Sequence, residues 1–211
     1  VITLGSPDYE LGVKTFRRRR NVNVYGWTTD SICAARLGLA EPAPEGAPPQ
    51  EMGLQQLLPQ HAELYQDHPS GLQDYYTRKP AIHPYLEGSG TFATALGEML
   101  LQGWQGAIRV CPALPRAWSA DFKLLAPSGF EVTAHAETGA VQIVSVLSQR
   151  GEPARVANPF AAAATITCDG QEVLASGAPV LQFPTAAGRI YLIARAGARA
   201  PAVHATAKPN L

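Results

Sequence analysis

The stretch Thr91-Phe92-Ala93-Thr94-Ala95-Leu96-Gly97-Glu98-Met99-Leu100-Leu101-Gln102-Gly103-Trp104, continued by Gln105-Gly106-Ala107-Ile108-Arg109-Val110, decides the fold because its hydrophobic period changes midway. Phe92, Ala95, Leu96, Met99, Leu100 and Trp104 recur at i, i+3, i+4, i+7, i+8 and i+12, which lays one broad apolar face along a helix. The spacing predicts a helix over 91–104, with Thr91 or Ser89 as its cap and Gly103 or Gly106 as its end. Beyond Gly106 apolar and polar residues alternate, the period of a half-buried strand. Strands are expected over 108–110, 122–125, 130–135, 141–147, 154–157, 165–168, 180–183 and 190–194. Ser128-Gly129, Thr138-Gly139, Arg150-Gly151 and Asp169-Gly170 supply turns between them. Many short strands at this spacing argue for an antiparallel β-sandwich.

Upstream of this switch the pattern is helical but broken. Trp27, Ile32, Ala35 and Leu39 recur at near-helical spacing, with Asp30 in the first turn and Gly38 near the end. The run 41–50, EPAPEGAPPQ, is a loop or linker by its proline content. Leu54, Leu57, Leu58, His61 and Leu64 share a face of a second helix, from Gly53 to about Tyr65, which Pro59 is expected to break or kink. Residues 1–25 read as polar and irregular. The segment 67–90 has no sustained period and is dense in glycine, proline, aromatics and charge, a composition typical of functional connections. The organisation read from this is α+β: a helical part over 1–105, a β-sandwich domain over 106–198 and a flexible tail over 199–211. The helical part is too small to close a core alone, so the face carrying Phe92, Met99 and Leu100 is expected to need helices from upstream sequence or another chain.

Charge excludes some partners. Seventeen basic residues balance seventeen acidic ones, which gives no reason to expect nucleic acid or an anionic membrane. The one basic cluster, Arg17 to Arg20, lacks interleaved aromatics and reads as a solvated or ion-paired surface turn. Cys33, Cys111 and Cys168 are odd in number and far apart, with no zinc-ligand spacing, and read as buried free thiols. Such thiols fit a reducing compartment better than an extracellular one, and no compartment is assigned. The chain begins at Val1 without a signal or membrane-spanning run and reads as if cut from something longer.

An ordered set of fragments carries a family resemblance. It comprises Glu87-Gly88, Gly97-Glu98-Met99-Leu100-Leu101-Gln102, Ile108, Pro112-Ala113-Leu114-Pro115, Trp118 and Gly129-Phe130-Glu131-Val132. Together they resemble the C-terminal region of the family 95 glycoside hydrolases, the α-L-fucosidase and α-L-galactosidase group. There, an acidic residue and glycine precede a helix ending in E-M-L-L-Q-S, and G-x-I, L-P-A-L-P, a tryptophan and G-G-F-E-V follow. Trp27 with Ala35-Arg36-Leu37-Gly38 is similar to an earlier helix of the same family. The resemblance covers roughly residues 26–160 and is strongest over 83–135. It implies the terminal helices of an (α/α)6 barrel followed by a β-sandwich, and inverting hydrolysis of a glycosidic bond. No cofactor and no metal are expected.

Counting back from the helix match sets Glu87, in His83-Pro84-Tyr85-Leu86-Glu87-Gly88, at the aspartate of the family's D-G-N-F-G segment, part of its general-base system. Two positions differ: Glu87 is one methylene longer than aspartate, and Ser89 stands where asparagine is usual, which points to another sugar specificity. Inverting hydrolysis needs an acid to protonate the leaving oxygen and a base to activate water, roughly 6.5–9.5 Å apart. Glu87 is the candidate base; the acid lies upstream in the family, so this chain is expected to lack it. Tyr75, Tyr76 and Tyr85 could stack on a sugar, and Arg78, Lys79 and His83 could bind hydroxyls. The alternatives are loop packing for the tyrosines and an ion pair of Arg78 or Lys79 with Asp74. His61 and His68 read as surface or helix-end residues, and Glu98 as a structural ion pair or capping contact.

A competing reading is a non-catalytic carbohydrate-binding or assembly module that completes a larger protein. Its weakness is that the β part offers few aromatics beyond Trp118 and Tyr191 for a stacking platform. A cysteine or serine nucleophile has little support, since G-x-S-x-G is absent and the cysteines lack a nearby histidine in sequence.

Overall fold

The computed structural model describes residues 2–22, 28–63, 73–74 and 84–198. Over these the protein is α+β. Four α-helices come first: α1 (Tyr9–Arg17), α2 (Asp30–Arg36), α3 (Leu54–Glu63) and α4 (Leu86–Leu100). Two short strands, β1 (Gln73–Asp74) and β2 (Pro84–Tyr85), pair antiparallel between α3 and α4. After α4 come β3 (Leu101–Gln102), β4 (Arg109–Val110), β5 (Ala120–Ala126), β6 (Phe130–Glu137), β7 (Ala140–Ser148) and β8 (Ala154–Ala157). The last strands are β9 (Ala164–Cys168), β10 (Gln171–Ser176), β11 (Val180–Phe183) and β12 (Arg189–Arg195).

Six strands form one antiparallel sheet in the order β10-β9-β12-β7-β6-β5. Its alternation is visible along β6, where Phe130, Val132, Ala134 and Ala136 are buried while Thr133 and Glu137 are exposed. Strands β8 and β11 pair with each other, and Ile108, beside β4, bridges to Val156 of β8. Val156, Leu181 and Phe183 from this smaller layer share one hydrophobic cluster with Val132, Val144, Val146, Ile166 and Ile193 of the large sheet. The turns Thr138-Gly139 and Asp169-Gly170 place both residues at positive φ, the left-handed geometry that matches hairpin twist. All the strands expected beyond Gly106 are present. Strand β10 was not expected: it is an edge strand whose residues are exposed or half-buried, so it lacks an alternating signal.

The helical part differs from expectation in three places. Residues 9–17 form a helix, not an irregular segment; Tyr9, Val13 and Phe16 share its inner face, and the Tyr9 hydroxyl donates to the Leu37 carbonyl at 2.8 Å. Helix α3 runs through Pro59. Proline inside a helix costs about 3 kcal/mol, but Leu54, Leu57 and Leu58 are each at most 2 % exposed, and burying each contributes roughly 1.5–3 kcal/mol. Pro59 itself is exposed. The long helix starts at Leu86 and ends at Leu100, not at 91 and 104. Thr91 therefore caps nothing: its hydroxyl donates back to the Gly88 carbonyl at 2.8 Å, inside the helix. Directly after Leu100 the chain enters β3, which pairs with β4, and at Gly103 a Cβ would lie 2.4 Å from the Pro127 ring.

Helices α2, α3 and α4 enclose a second cluster around Ala34, Ala35, Leu54, Leu57, Ala95 and Met99. Ala113, Leu114 and Ala136 of the β part complete it. Met99 is thus covered within the chain, while Phe92, Leu96 and Leu100 are half-buried. No described helix is long and apolar enough to cross a membrane.

Candidate active site

Glu87 lies in the first turn of α4, and its side chain is exposed. A carboxylate there stands beside the unsatisfied N–H groups at the start of a helix. Strand β2 ends at Tyr85 and α4 begins at Leu86, so the chain passes from the β1–β2 pair straight into the turn that carries Glu87. In that pair Asp74 opposes Pro84 and Gln73 opposes Tyr85. The segment 75–83, bearing Tyr75, Tyr76, Arg78, Lys79 and His83, lies between these two strands in sequence and shortly before Glu87. Those five residues, His68 and Trp27 lie outside the described residues; of Tyr85 only the strand backbone is described.

His61 lies in the last turn of α3, the helix-end position expected, but not at the surface. It is 1 % exposed, in the inward stripe of α3 with Leu54, Leu57 and Leu58, and is not a surface residue. Its ring meets Phe92 of α4 edge-on, with centroids 5.4 Å apart and planes at 77°. Burial holds the imidazole below its ordinary basicity, with the nearby Gly88 backbone acting in the opposite direction. The signal was in the sequence, since His61 falls on the apolar stripe of α3, and a histidine on such a stripe is buried with the stripe.

Glu98, about three turns further along α4 than Glu87, is committed to structure as expected. Arg36 of α2 donates to its Oε1 through Nε at 3.1 Å and Nη2 at 2.9 Å. Trp104 Nε1 donates to Oε2 at 2.8 Å, and the Arg36 guanidinium lies 4.9 Å from the Trp104 ring centroid. The arginine run is likewise ion-paired: Arg17 with Glu51 at 3.1 Å and Arg19 with Asp30 at 3.0 Å.

The three cysteines are free and half-buried, less enclosed than expected. Burial pushes the Cys111 thiol up to about 11, away from the thiolate a nucleophile needs. Among the described residues no group of three or more histidine, cysteine or carboxylate side chains could hold a metal. One cavity of about 530 Å³ lies between α1 and Glu51, and another of about 230 Å³ lies between Trp104 and Pro127; Glu87 lines neither. No family model matches the chain, and no curated protein sequence matches it.

Proposed function

We propose that this chain is the C-terminal portion of an inverting glycoside hydrolase acting on a terminal sugar such as α-L-fucose or α-L-galactose. In this reading α4 is the final helix of an (α/α)6 barrel, and the two β layers around the Val132/Val156/Ile166 cluster form its β-sandwich. Glu87 serves the general-base side: its carboxylate takes a proton from water while the water oxygen attacks the anomeric carbon. The acid that protonates the leaving oxygen comes from the upstream part of the same protein or from another subunit. The observation that carries the reading is an exposed carboxylate in the first turn of α4, entered directly from the β1–β2 pair. Its support is the match of these residues to the family 95 pattern. Against the competing module, Tyr191 is 5 % exposed, which removes it as a stacking surface on the sheet.

The test uses the gene product with its upstream sequence, assayed on aryl α-L-fucoside and α-L-galactoside. Turnover with inversion at the anomeric carbon is expected, and Glu87→Gln should lower kcat by about 10²-fold or more with the fold intact. A well-folded wild type that turns over neither glycoside, or a fully active Glu87→Gln, defeats the proposal.

A further inference from the structure

We propose that the outer face of the six-stranded sheet is a self-association surface. A second copy of this chain docks on it face to face, about a twofold axis that runs along the strands between β7 and β12. Val132, Val144, Val146, Ile166, Tyr191 and Ile193 point inward, into the cluster shared with β8 and β11, so by strand alternation their neighbours point outward. On β7 and β12 those neighbours are largely aliphatic. Leu147 opposes Ile190, Ile143 opposes Ala194, and Ser145 opposes Leu192 between them. None of these aliphatic residues packs into either hydrophobic cluster of the described residues, and Ile190 is 52 % exposed. The flanking strands are polar, with Lys123 and Thr133 on one side and Thr167 and Glu172 on the other. An exposed apolar centre with a polar rim is the make-up of a protein-docking surface.

Charge and area select a second copy as the occupant. One row of the sheet runs Lys123, Thr133, Ser145, Leu192, Thr167, Glu172 from the β5 edge to the β10 edge. Turning a copy about the axis lays β7 over β12, β6 over β9 and β5 over β10 of the partner subunit. Leu147 then meets Ile190 of the partner subunit, and Lys123 meets Glu172 of the partner subunit. Symmetry repeats both contacts, as a twofold interface requires. Within one copy Lys123 pairs with Glu131 at 2.8 Å yet stays 62 % exposed, and among the described residues Glu172 has no ion-pair partner. At about 4.8 Å between strands and about 3.4 Å per residue, the six strands present a face of roughly 24 by 20 Å, so two copies bury roughly 1,000 Å². That is the lower bound of a specific interface, and it corresponds to a reversible dimer of roughly micromolar Kd. The outer side of the sheet carries no tryptophan, tyrosine or phenylalanine among the described residues, so a sugar has no ring to stack on there.

The test uses the gene product with its upstream sequence. Sedimentation velocity between about 1 and 100 µM is expected to show a reversible monomer–dimer equilibrium. Ile190→Lys sets an ammonium group from each copy into the apolar centre. It should weaken dimerisation about a hundredfold or more, with the thermal midpoint of the monomer kept. Glu172→Lys should weaken it about three- to tenfold, and adding Lys123→Glu should recover most of that loss, because the swap restores both symmetric pairs. Carbodiimide joins an amine to a carboxylate with no spacer. It should link Lys123 to Glu172 in the dimer alone, since within one copy five strand spacings hold them roughly 24 Å apart. A gene product that stays monomeric over this range, as it will if its upstream part covers the sheet, overturns the proposal. So does a dimer that Ile190→Lys leaves unweakened, a charge swap that restores nothing, or a dimer that yields no link between Lys123 and Glu172. Should Ile190→Lys fail to fold, the swap and the link decide.

Discussion

His61 and His135 are pulled in opposite directions, and the two make opposite demands on pH. His61 loses basicity through burial. The unfolded chain, with an ordinary imidazole near 6.5, takes up a proton before the folded one does, so folding free energy is full above about pH 6.5 and declines as pH falls. His135 lies on the open face of the sheet between Asp121, 2.8 Å from Nδ1, and Glu137, 3.1 Å from Nε2. These two bonds, the one to Asp121 first, raise its affinity for the proton. Its contribution is present below about pH 6.5 and is lost as pH rises through the folded value, and exposure keeps it small. An NMR titration should find His135 above 6.5 and His61 below it. Asp121→Asn with Glu137→Gln should return His135 towards 6.5, and His61→Phe should flatten the loss of stability on acidification between about pH 6.5 and 5. A His61 that titrates freely at 6.5 would show that the ring is not held in the core.

At the scale of elements, α2 and α4 are clasped by the Arg36–Glu98–Trp104 network, reinforced by Gln102, whose Nε2 donates to the carbonyls of Ala35 and Glu98 at 2.9 Å each. Arg36 and Glu98 side chains are only 26 % and 12 % exposed, so deleting one partner strands a charge in a poorly hydrated place. Arg36→Ala is expected to cost about 2 kcal/mol, read as a lower urea midpoint at unchanged slope. Arg36→Lys should recover only part, because a single ammonium cannot reproduce two donors to Oε1 and the face over Trp104. An unchanged midpoint for Arg36→Ala would remove the clasp as a stabilising feature. The body of α4 was legible because Phe92, Ala95, Leu96 and Met99 repeat at helical spacing. Its start was not, because Gly88-Ser89-Gly90 has the composition of a loop, yet it lies inside α4. Hairpins were readable where Thr138-Gly139 and Asp169-Gly170 supply positive φ. Helix α1 was missed because only Tyr9, Val13 and Phe16 mark its face. Glu87 was located by likeness to a family, whereas His61 was read on the right face and at the helix end but not as buried.

At the scale of the whole molecule, the described residues form two cores of unequal independence. The cluster around Val132, Val156, Ile166 and Ile193 draws its buried members only from residues 108–193. The helical cluster is different: Ala113, Leu114 and Ala136 come from the β part, with Trp118 and Ala120 packed beside them. Cys111, at the hinge between the parts, packs against both clusters. The β part therefore contains what it needs to fold, whereas the helices lean on it to close their interior. A fragment over 101–198, which retains the β3–β4 pair, should fold alone with a cooperative thermal transition and dispersed amide resonances. A fragment over 1–100 should remain without fixed tertiary packing, since removing Ala113, Leu114 and Ala136 uncovers Ala95 and Met99. In the intact chain, Leu114→Ala should lower stability by about 2–4 kcal/mol through the void it leaves at the junction, and the loss should show first in amide exchange of α2 and α4. If the 1–100 fragment folded cooperatively, the helices would form a domain of their own, and the junction at Leu114 would be a contact between finished bodies. Failure of that fragment is the outcome the shared core requires. It would also mean that the turn bearing Glu87 is held, through α4, by residues whose own order comes from the sheet.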